Sequence, residues 1–516
     1  MSVDLRSEDT RLESLIDSKL NDSPDSRCFW WDGKWYSKAD LSRMASGCEA
    51  TLRAAGFGRG QRLAVLMPNC PMVLALSLAA WRLGGSVSPL NVKSGLPSLT
   101  GTLGLIEPFA VVAADAVKKE AGEALRERGF TCVTCPPLGP LPEMSGHPSQ
   151  FETPDVAVIF ATSGTTGLPK AVPLTHANLV DNCLVTREAI YGLAPGDVFL
   201  SVLPNFHSFG FTVSLVLPIT MDASIAIVPG FLPPSLTIKA IKEAGTNVIF
   251  GVPTIFSYLL SAMDRGDAPK DLFARAKYLI TGGDRLGANL HDTAVRVAGR
   301  DIMEGYGLTE TSPVVAVNRD YSEHRRGTVG PFVRGYEWRL CPEGKAPSES
   351  DEKNPENGEG VLWLRGPSVT DGYLRSPETT AERFKPAGSG RPWFNTGDYV
   401  KMDNGYVKIL DRVTDIIIVG GFNVYPQEVE LVLHSHPAVK TAIVVGMPHH
   451  VNGEVPKAFV QKAEGAAVTE LEIVKFCKEH LSHFKVPRKV EFVDDFPLSG
   501  TGKILRRILR ERERHV

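Results

Sequence analysis

The sequence predicts an α/β protein: a large N-terminal domain of parallel-sheet α/β subdomains with a β-rich subdomain, followed by a small α+β C-terminal domain. At 516 residues the chain is too long for one ordinary hydrophobic core. Short buried strands alternate with helical segments up to about residue 280, as expected for a parallel sheet. From about residue 318 to 402, short alternating segments separated by Gly and Pro replace that pattern and indicate the β-rich part.

Composition and charge favour a small-molecule partner. The chain is 43% hydrophobic and 22% charged, with a formal net charge of -3, so it offers no overall attraction to nucleic acid or to an anionic membrane. No apolar run approaches the roughly 18 residues of a transmembrane helix. Residues 1–21 are polar and lack the apolar core of a signal peptide. We therefore expect a cytoplasmic enzyme.

Eight cysteines are scattered along the chain, and only Cys132 and Cys135 have C-x-x-C spacing. A zinc or redox site would be favoured by a second pair or by histidines close by in the sequence. Since neither is present, reduced thiols near a strand end are the favoured interpretation.

The first part of the chain predicts a helix, a strand, a second helix and a second strand. One face of the first helix carries Leu41, Met44, Cys48 and Leu52; it begins at Ser37 and ends at Gly56 and Gly58. Next come a strand over 62–67, an apolar helix through Trp81, a break at Gly84-Gly85 and a short strand ending at 89–91. Residues 136–154 predict a connector.

A glycine-rich loop follows the predicted strand 156–160. Gly164 and Gly167 allow the backbone N–H groups to point inward, and Lys170 adds a positive charge. Ser163, Thr165 and Thr166 add hydroxyl donors. Leu168 follows the second glycine, where the common ATPase loop requires lysine. The loop predicts a phosphate-binding site, with a Gly/Thr-rich surface turn as the alternative.

The alternation of strand and helix resumes after this loop. Thr175 is expected to cap a helix over 176–190. Buried strands are predicted at 198–203, 225–228, 248–250 and 278–280. Ligands bind beyond the carboxyl ends of such strands. The segments 204–210, 251–254 and 281–284 are therefore candidate site loops.

The last part of the chain predicts a boundary followed by a compact module. Residues 411–426 have the pattern of a hairpin or bend. A helix beginning at Thr469, with Glu472 completing a capping box, is expected to bury Val474, Cys477 and Leu481. The basic terminal helix over 505–514 is expected to be solvated, with contact to a polyanionic partner as the alternative. An acidic loop over 349–359 is expected to be exposed.

Five motifs follow one another over nearly the whole chain: the loop 162–170, Gly305-Tyr-Gly-Leu-Thr-Glu310, Thr396-Gly-Asp398, Arg412 and Gly500-Thr-Gly-Lys503. Together and in this order, they resemble the motifs of the adenylate-forming superfamily of acyl-CoA synthetases, luciferases and peptide-synthetase adenylation domains. The segments 206–213 and 304–318 are most similar to fatty acyl-CoA and acyl-carrier-protein synthetases. This resemblance implies an adenylation domain over 1–411, whose β-rich subdomain spans about 318–411, and a mobile lid domain over 412–516.

The resemblance also implies a reaction. A carboxylate attacks the α-phosphate of ATP to give an acyl adenylate and pyrophosphate, and a thiol then takes the acyl group. The implied catalytic residues are Lys503, Glu310, Thr166 and His207, of which Glu310 and Thr166 would hold Mg²⁺ and Lys503 would bridge the carboxylate and the α-phosphate. The implied ATP- and CoA-binding residues are Thr162, Ser163, Gly164, Thr165, Gly167, Lys170, Gly283, Asp284, Tyr306, Gly307, Thr309, Asp398, Arg412, Gly420 and Gly421.

Several of these roles have alternatives. Asp398 is expected to accept from the ribose hydroxyls and Tyr306 to lie beside adenine, but a turn-capping aspartate and a core tyrosine have the same pattern. His207 either shapes the carboxylate site or simply packs in an apolar loop. Asp411 and Thr414 stand where the family often carries a glycine and a hinge aspartate or lysine.

The substrate and the acceptor are also left open. Phe206, His207 and Phe209 stand near the point where amino-acid-activating relatives carry an aspartate, which favours an uncharged acyl tail. A medium- or long-chain fatty acid is expected, with an aryl, dicarboxylic or short branched acid as the alternative. Gly420 and Gly421 are expected to line a pantetheine tunnel, which suits CoA or an acyl carrier protein. A non-catalytic adenylate-binding protein and a homodimer are further alternatives.

Overall fold

A computed structural model describes residues 10–115, 119–163, 169–348, 357–388, 390–498 and 504–514. Three predicted features lie outside these residues. They are Gly164, Thr165, Thr166 and Gly167 of the phosphate loop, most of the acidic loop, and the segment that contains Lys503.

A six-stranded sheet carries the beginning of the phosphate loop. Its strands lie in the order Cys132–Cys135, Ala110–Ala114, Arg62–Leu66, Ser86–Pro89, Val156–Ser163 and Pro169–Thr175. All pairs are parallel except the last, which places Thr162 opposite Lys170. The helices between these strands are Pro71–Arg82, Leu96–Ile106 and Lys119–Glu127.

An eight-stranded sheet supplies the other side of the large domain. Its order is Val314–Val317, Met303–Gly307, Tyr278–Thr281, Val248–Gly251, Val198–Ser201, Ser224–Ile227, Arg27–Trp31 and Lys34–Ser37. The six inner strands are parallel and the two edge strands are antiparallel. Helices Leu12–Asp22, Lys38–Ala54, His176–Ala189, Ser208–Phe211, Leu217–Thr220, Pro234–Ala244, Pro253–Arg265 and Ala288–Ala298 accompany it. One hydrophobic core joins this sheet to the six-stranded one.

Local sequence signals account for the predicted helix starts. Ser37 accepts from the Asp40 N–H while the Asp40 carboxylate accepts from the Ser37 N–H, which is a complete capping box. Thr175 and Asn178 form the same arrangement. The connector over 136–154 contains no helix or strand. The predicted parallel α/β region is confirmed, with strand ends that differ by up to three residues; the largest difference is at Ser163, since the strand was predicted to end at 160.

The β-rich subdomain is an antiparallel sheet of Glu337–Cys341, Gly358–Arg365, Gly390–Asp403, Phe384–Ala387 and Tyr406–Arg412. Helix Pro377–Arg383 precedes one of its strands. Pairing of the last strand with Gly390–Asp403 sets Asp398 directly opposite Arg412. These two predicted site residues are therefore cross-strand neighbours.

The C-terminal domain has its own core and its own sheet, of Phe422–Val424, Ile417–Val419, Gly453–Lys462, Val439–His449 and Lys489–Phe492. Helices Pro426–His434, Glu470–His480 and Arg506–Arg514 complete it. Gly420 and Gly421 have φ of 58° and 89° and form the predicted hairpin turn between the first two strands. The capping box of Thr469 and Glu472 is present.

Two expectations about burial in this domain are wrong. Ile473 and Cys477 are fully buried, whereas Val474 and Leu481 are only partly buried, because the helix faces its sheet with a slightly different edge. The basic terminal helix is not simply solvated: Leu509 is 1% exposed. Charge counting along the sequence could not reveal that acidic residues from other elements face this helix.

Those acidic partners are Asp415, just after the strand Tyr406–Arg412, and Glu430 on helix Pro426–His434. Arg506 pairs with Glu430, with Nη1–Oε1 at 2.5 Å, and with Asp415 at 3.6 Å. Glu513 pairs with the buried Lys457 at 2.6 Å. The terminal helix therefore fastens the C-terminal domain together.

Two further properties concern the described residues as a whole. All eight cysteines are free and buried, including Cys132 and Cys135. A search of the described residues found no helix with the length and apolar character that a membrane crossing requires.

Candidate active site

A cavity of about 310 Å³ lies at the carboxyl ends of the eight-stranded sheet, between that sheet, the phosphate-loop strands and the β-rich subdomain. Nine predicted site residues line it: Thr162, Lys170, His207, Gly283, Tyr306, Gly307, Thr309, Glu310 and Arg412. Ser163 ends the strand that leads into the phosphate loop. Four other described residues that were predicted, Asp284, Asp398, Gly420 and Gly421, do not line the cavity in this arrangement.

Glu310 is held at the cavity wall by a tight turn. The strand Met303–Gly307 ends in Gly307, where an added Cβ would lie 1.9 Å from the Pro313 carbonyl oxygen, so only glycine fits. The single turn Thr309–Thr311 follows and directs Glu310 into the cavity. Its backbone carbonyl accepts from the Thr370 N–H at 2.9 Å.

Tyr373 fixes the Glu310 carboxylate. Its hydroxyl donates to Glu310 Oε1 at 2.7 Å, and Lys170 Nζ lies 5.3 Å from the centre of its ring. Burial and the nearby Glu310 raise the pKa of Tyr373, so the hydroxyl remains a donor at neutral pH. One carboxylate oxygen of Glu310 is thus oriented by protein, while the other has no hydrogen bond from the described residues. That arrangement suits a hard divalent cation.

A second set of polar and charged side chains surrounds Asp398, which is 2% exposed. Arg412 Nε lies 2.8 Å from Asp398 Oδ1, and the Tyr306 hydroxyl donates to Oδ2. Burial and Asp398 raise the pKa of Tyr306, while Asp398 is the main cause of a raised pKa at Arg412. Asp398 does not itself line the cavity, but it holds Tyr306 and Arg412, which do.

The opposite end of the cavity is apolar. Phe209, Phe250, Ile280 and Val317 line it, and the rings of Phe209 and Phe250 meet edge to face at 6.1 Å. Gly282 permits this packing, because an added Cβ would lie 3.1 Å from the Phe209 ring. A carboxylic acid whose tail occupies this end would direct its carboxylate toward the charged end.

His207 lies where the apolar and polar walls meet. It caps the short helix Ser208–Phe211, and its Nδ1 accepts from the Phe209 N–H at 3.3 Å. In the neutral ring the proton therefore resides on Nε2. The imidazole is half-buried and lines the cavity.

Two hydroxyls on the cavity wall lack a hydrogen bond from the described residues. They are Thr186 Oγ1 on helix His176–Ala189 and Thr281 Oγ1 at the end of its strand. Each residue is 1% exposed. A buried hydroxyl without a partner costs about 1–3 kcal/mol, so a ligand that supplies a partner gains affinity there.

Sequence reasoning missed three polar residues of the cavity wall, namely Thr186, Tyr373 and Arg383. Tyr373 and Arg383 lie more than sixty positions after Glu310 in the chain, and neither belongs to a phosphate or nucleotide pattern used above. Arg383 Nη2 donates to the Thr396 carbonyl at 2.9 Å, beside Asp398. The local sequence signal near Tyr373 is Gly372, where an added Cβ would lie 2.5 Å from the Thr380 side chain.

The small domain contacts the large one beside the cavity. Arg285 Nη1 donates to Gln427 Oε1 at 3.1 Å, and Asn289 Nδ2 donates to the His434 carbonyl at 2.8 Å. Asp284 is exposed and accepts from the Arg285 N–H. Gly420 and Gly421 are exposed at their hairpin turn. A rotation of the small domain would be needed to bring this turn to the cavity.

Asp411 lies at the junction of the two domains and is 1% exposed. Its Oδ1 accepts from the Arg412 N–H at 2.8 Å and its Oδ2 from the Gln427 N–H at 3.1 Å. Burial raises the pKa of Asp411 to about 7, although Arg506 opposes the shift. The Asp411 carboxylate thus ties the end of the strand Tyr406–Arg412 to the start of helix Pro426–His434.

The Asp411→Asn variant is expected to lose a pH dependence of stability. Because the pKa of Asp411 is raised in the folded state, its contribution of about 4 kcal/mol is fully present below the unfolded pKa and is lost as pH rises toward 7. Unfolding midpoints measured between about pH 5 and pH 8 should therefore fall less in the variant than in the parent. The exposed Asp495→Asn variant should follow the parent; an Asp411→Asn profile that also does so would contradict this account.

The fold thus places one cavity, with a charged and an apolar end, in the large domain, which is followed by a small C-terminal domain. Residues 16–374 match the family model described as AMP-binding enzyme, and residues 428–503 match the AMP-binding enzyme C-terminal domain. The chain belongs to the AMP-binding enzyme family and is a member of the adenylate-forming superfamily, as its motifs predicted.

Two relatives that align over most of the chain are a CoA synthase and a CoA ligase. The chain is 33% identical to a feruloyl-CoA synthase of an Amycolatopsis species, over 95% of this chain and 96% of that protein. It is 32% identical to a long-chain-fatty-acid–CoA ligase of Escherichia coli, over 89% and 86%. The structure of ATP-bound MatB from Rhodopseudomonas palustris matches with a TM-score of 0.85 and 30% identity, over 98% and 99% of the two chains. These similarities support ATP-dependent ligation of an acid to CoA.

Proposed function

We propose that this enzyme activates a monocarboxylic acid of medium size whose tail is uncharged and predominantly apolar. It would convert the acid to its acyl adenylate and then transfer the acyl group to CoA. The observation that carries the proposal is the single cavity that joins an apolar end, at Phe209 and Phe250, to a charged end at Glu310 and Arg412. An acid bound with its tail in the first end presents its carboxylate to the second.

The first half-reaction joins two anions. A carboxylate oxygen attacks the α-phosphorus of ATP, the bond from that phosphorus to the bridging oxygen breaks, and pyrophosphate leaves. Lys170 and Arg383 supply positive charge on the cavity wall, and Lys503 is proposed to stabilise the charge that builds up on the α-phosphate. Glu310 and Thr166 would hold Mg²⁺, which neutralises charge on the phosphates.

The second half-reaction needs a thiol at the adenylate carbonyl. The CoA sulfur forms the new bond to carbon, the carbon–oxygen bond to the phosphate breaks, and AMP leaves. Arg412 and Asp398 lie just before the hinge, so we propose that they keep the nucleotide in place while the small domain rotates. Gly420 and Gly421 would then line the path of the thiol arm.

Cavity size favours an acid of medium length. A volume of about 310 Å³ lies at the lower end of the range for small-molecule sites and must hold part of the nucleotide as well. Among the described residues that form the apolar walls, none carries an acidic or basic side chain beyond His207. A second carboxylate or an ammonium group would therefore be desolvated without a partner, which disfavours dicarboxylic and amino acids.

An aryl acid with a polar substituent is the second candidate. The Thr186 hydroxyl, buried in the cavity wall and without a partner among the described residues, could bond to a phenol or methoxy oxygen on an aromatic ring. An alkyl tail would leave that hydroxyl unsatisfied. The similarity to a feruloyl-CoA synthase agrees with this alternative.

ATP–pyrophosphate exchange with octanoate, palmitate and ferulate, with and without CoA, separates these candidates. We expect exchange with octanoate to exceed that with palmitate, and thioester formation with CoA. If ferulate is the better substrate, Thr186→Val should lower its kcat/KM about tenfold and leave octanoate unchanged, since one hydrogen bond of about 1.5 kcal/mol is lost. Absence of exchange with all three acids would contradict the proposed substrate class.

A further inference from the structure

Away from the cavity, four ionisable side chains meet in a buried cluster made of His291, Asp301, Glu304 and His324. His291 is on helix Ala288–Ala298 and Glu304 on the strand Met303–Gly307. His291 is 2% and Glu304 6% exposed, and the His324 side chain is 6% exposed. We propose that this cluster binds a divalent transition-metal ion such as Zn²⁺, at a site separate from the one for nucleotide and Mg²⁺.

The distances suit such an ion. One ligand atom each from His291, Asp301 and His324 can be chosen so that all lie within 4.8 Å of one another. His291 Nε2 and Glu304 Oε1 are 3.4 Å apart, which matches the edge of a tetrahedron with zinc–ligand bonds of about 2.05 Å. His324 Nδ1 and Asp301 Oδ2 are 3.8 Å apart. Two imidazoles and a carboxylate are ordinary zinc ligands.

Two ring nitrogens in the cluster have no hydrogen-bond partner among the described residues. They are His291 Nε2 and His324 Nε2, and both are buried. His291 Nε2 has only the 3.4 Å ionic contact with Glu304 Oε1, so a metal ion would give both buried nitrogens a direct partner. His291 also has the supporting bond that metal-binding histidines usually make, because its Nδ1 lies 2.6 Å from Asp301 Oδ1.

Arg326 is the cation that an ion must compete with. Its Nε lies 2.6 Å from Asp301 Oδ2, but its Nη1 also lies 2.8 Å from Asp292 Oδ1. The Arg326 side chain is 45% exposed. It can therefore move away from Asp301 and keep a partner, which would leave two carboxylates to balance a divalent charge.

An ion at this position would link elements of the large domain to one another. Glu304 lies two residues before Tyr306 on the strand whose end lines the active-site cavity. A bound ion would fasten this strand to helix Ala288–Ala298 and to the loop that carries His324. We therefore expect the ion to stabilise the large domain.

Zinc binding can be tested on the full chain, purified without a histidine tag and treated with a chelator. Calorimetric titration with ZnCl₂ should show one equivalent bound, and the unfolding midpoint should rise. Removal of one ligand in His324→Ala should weaken binding at least tenfold, whereas the exposed His147→Ala should bind as the parent does. Equal binding by the parent and His324→Ala, or equal loss in both variants, would overturn the proposal.

Cobalt provides a readout that does not depend on how a variant folds. Co²⁺ added to the parent protein should give the intense visible absorption of a tetrahedral site, and Zn²⁺ should displace it. A weak octahedral spectrum, or none, would overturn the proposal even if His324→Ala failed to fold.

Discussion

Replacing Glu310 with glutamine is expected to lower kcat/KM for adenylate formation about 10³-fold. Glu310 is the only acidic side chain among the described residues that line the cavity. Glutamine preserves size and can still accept from Tyr373, but it removes the charge needed to hold Mg²⁺ beside the phosphates. Loss of one such preorganised electrostatic contact typically costs 10²–10³ in rate. Initial rates of ATP–pyrophosphate exchange at several Mg²⁺ concentrations measure the effect.

Tyr373→Phe is the matched control. It removes the hydroxyl that orients Glu310 and leaves the carboxylate in place, so a loss of about tenfold is expected, partly recovered at high Mg²⁺. A parent-like rate for Glu310→Gln at limiting Mg²⁺ would exclude Glu310 as the metal ligand. Equal losses in the two variants would instead indicate that Glu310 acts through its hydrogen bond rather than its charge.

Replacing Lys503 with alanine is expected to reduce adenylate formation by about 10²–10³ while ATP binding stays measurable. This prediction rests on the resemblance of Gly500-Thr-Gly-Lys503 to the catalytic lysine segment of the superfamily, since Lys503 lies outside the described residues. The lysine would contact the carboxylate and the α-phosphate only while charge builds up between them. Single-turnover formation of adenylate, measured together with equilibrium binding of ATP, separates the two effects.

The control for Lys503→Ala is a second lysine of the C-terminal domain. Lys475 is exposed on helix Glu470–His480, and Lys475→Ala should keep the parent rate. Thioester formation from a synthetic acyl adenylate should continue in Lys503→Ala, because the second half-reaction does not use this residue. Parent-like adenylation by Lys503→Ala would show that another group serves the α-phosphate.

Local sequence signals predicted most of the architecture. The capping boxes at Ser37, Thr175 and Thr469 depend on residues three positions apart, so the sequence alone specifies them. The parallel strands of the large domain are short apolar runs bounded by turn residues. Both signals involve neighbours in the chain, and for that reason they could be recognised without the fold.

The candidate site was predicted in part for the same reason. Thr162, Lys170, Tyr306 and Glu310 lie in compact motifs, and the described structure brings all four to one cavity. Arg412 was predicted from a motif, but its pairing with Asp398 follows from strand register. The phosphate-loop glycines and Lys503 remain sequence-based proposals.

Sequence by itself determined the fold class, the order of the domains and the motif residues of the nucleotide site, because each depends on local pattern. Tertiary structure alone decided which distant groups meet. It placed Tyr373 against Glu310, Arg506 against Glu430, and His324 beside His291. These contacts join residues between about thirty and eighty positions apart in the chain. Their energies depend on how deeply the groups are buried and how they are oriented. Both properties arise only when the chain folds, so a local sequence pattern does not contain them.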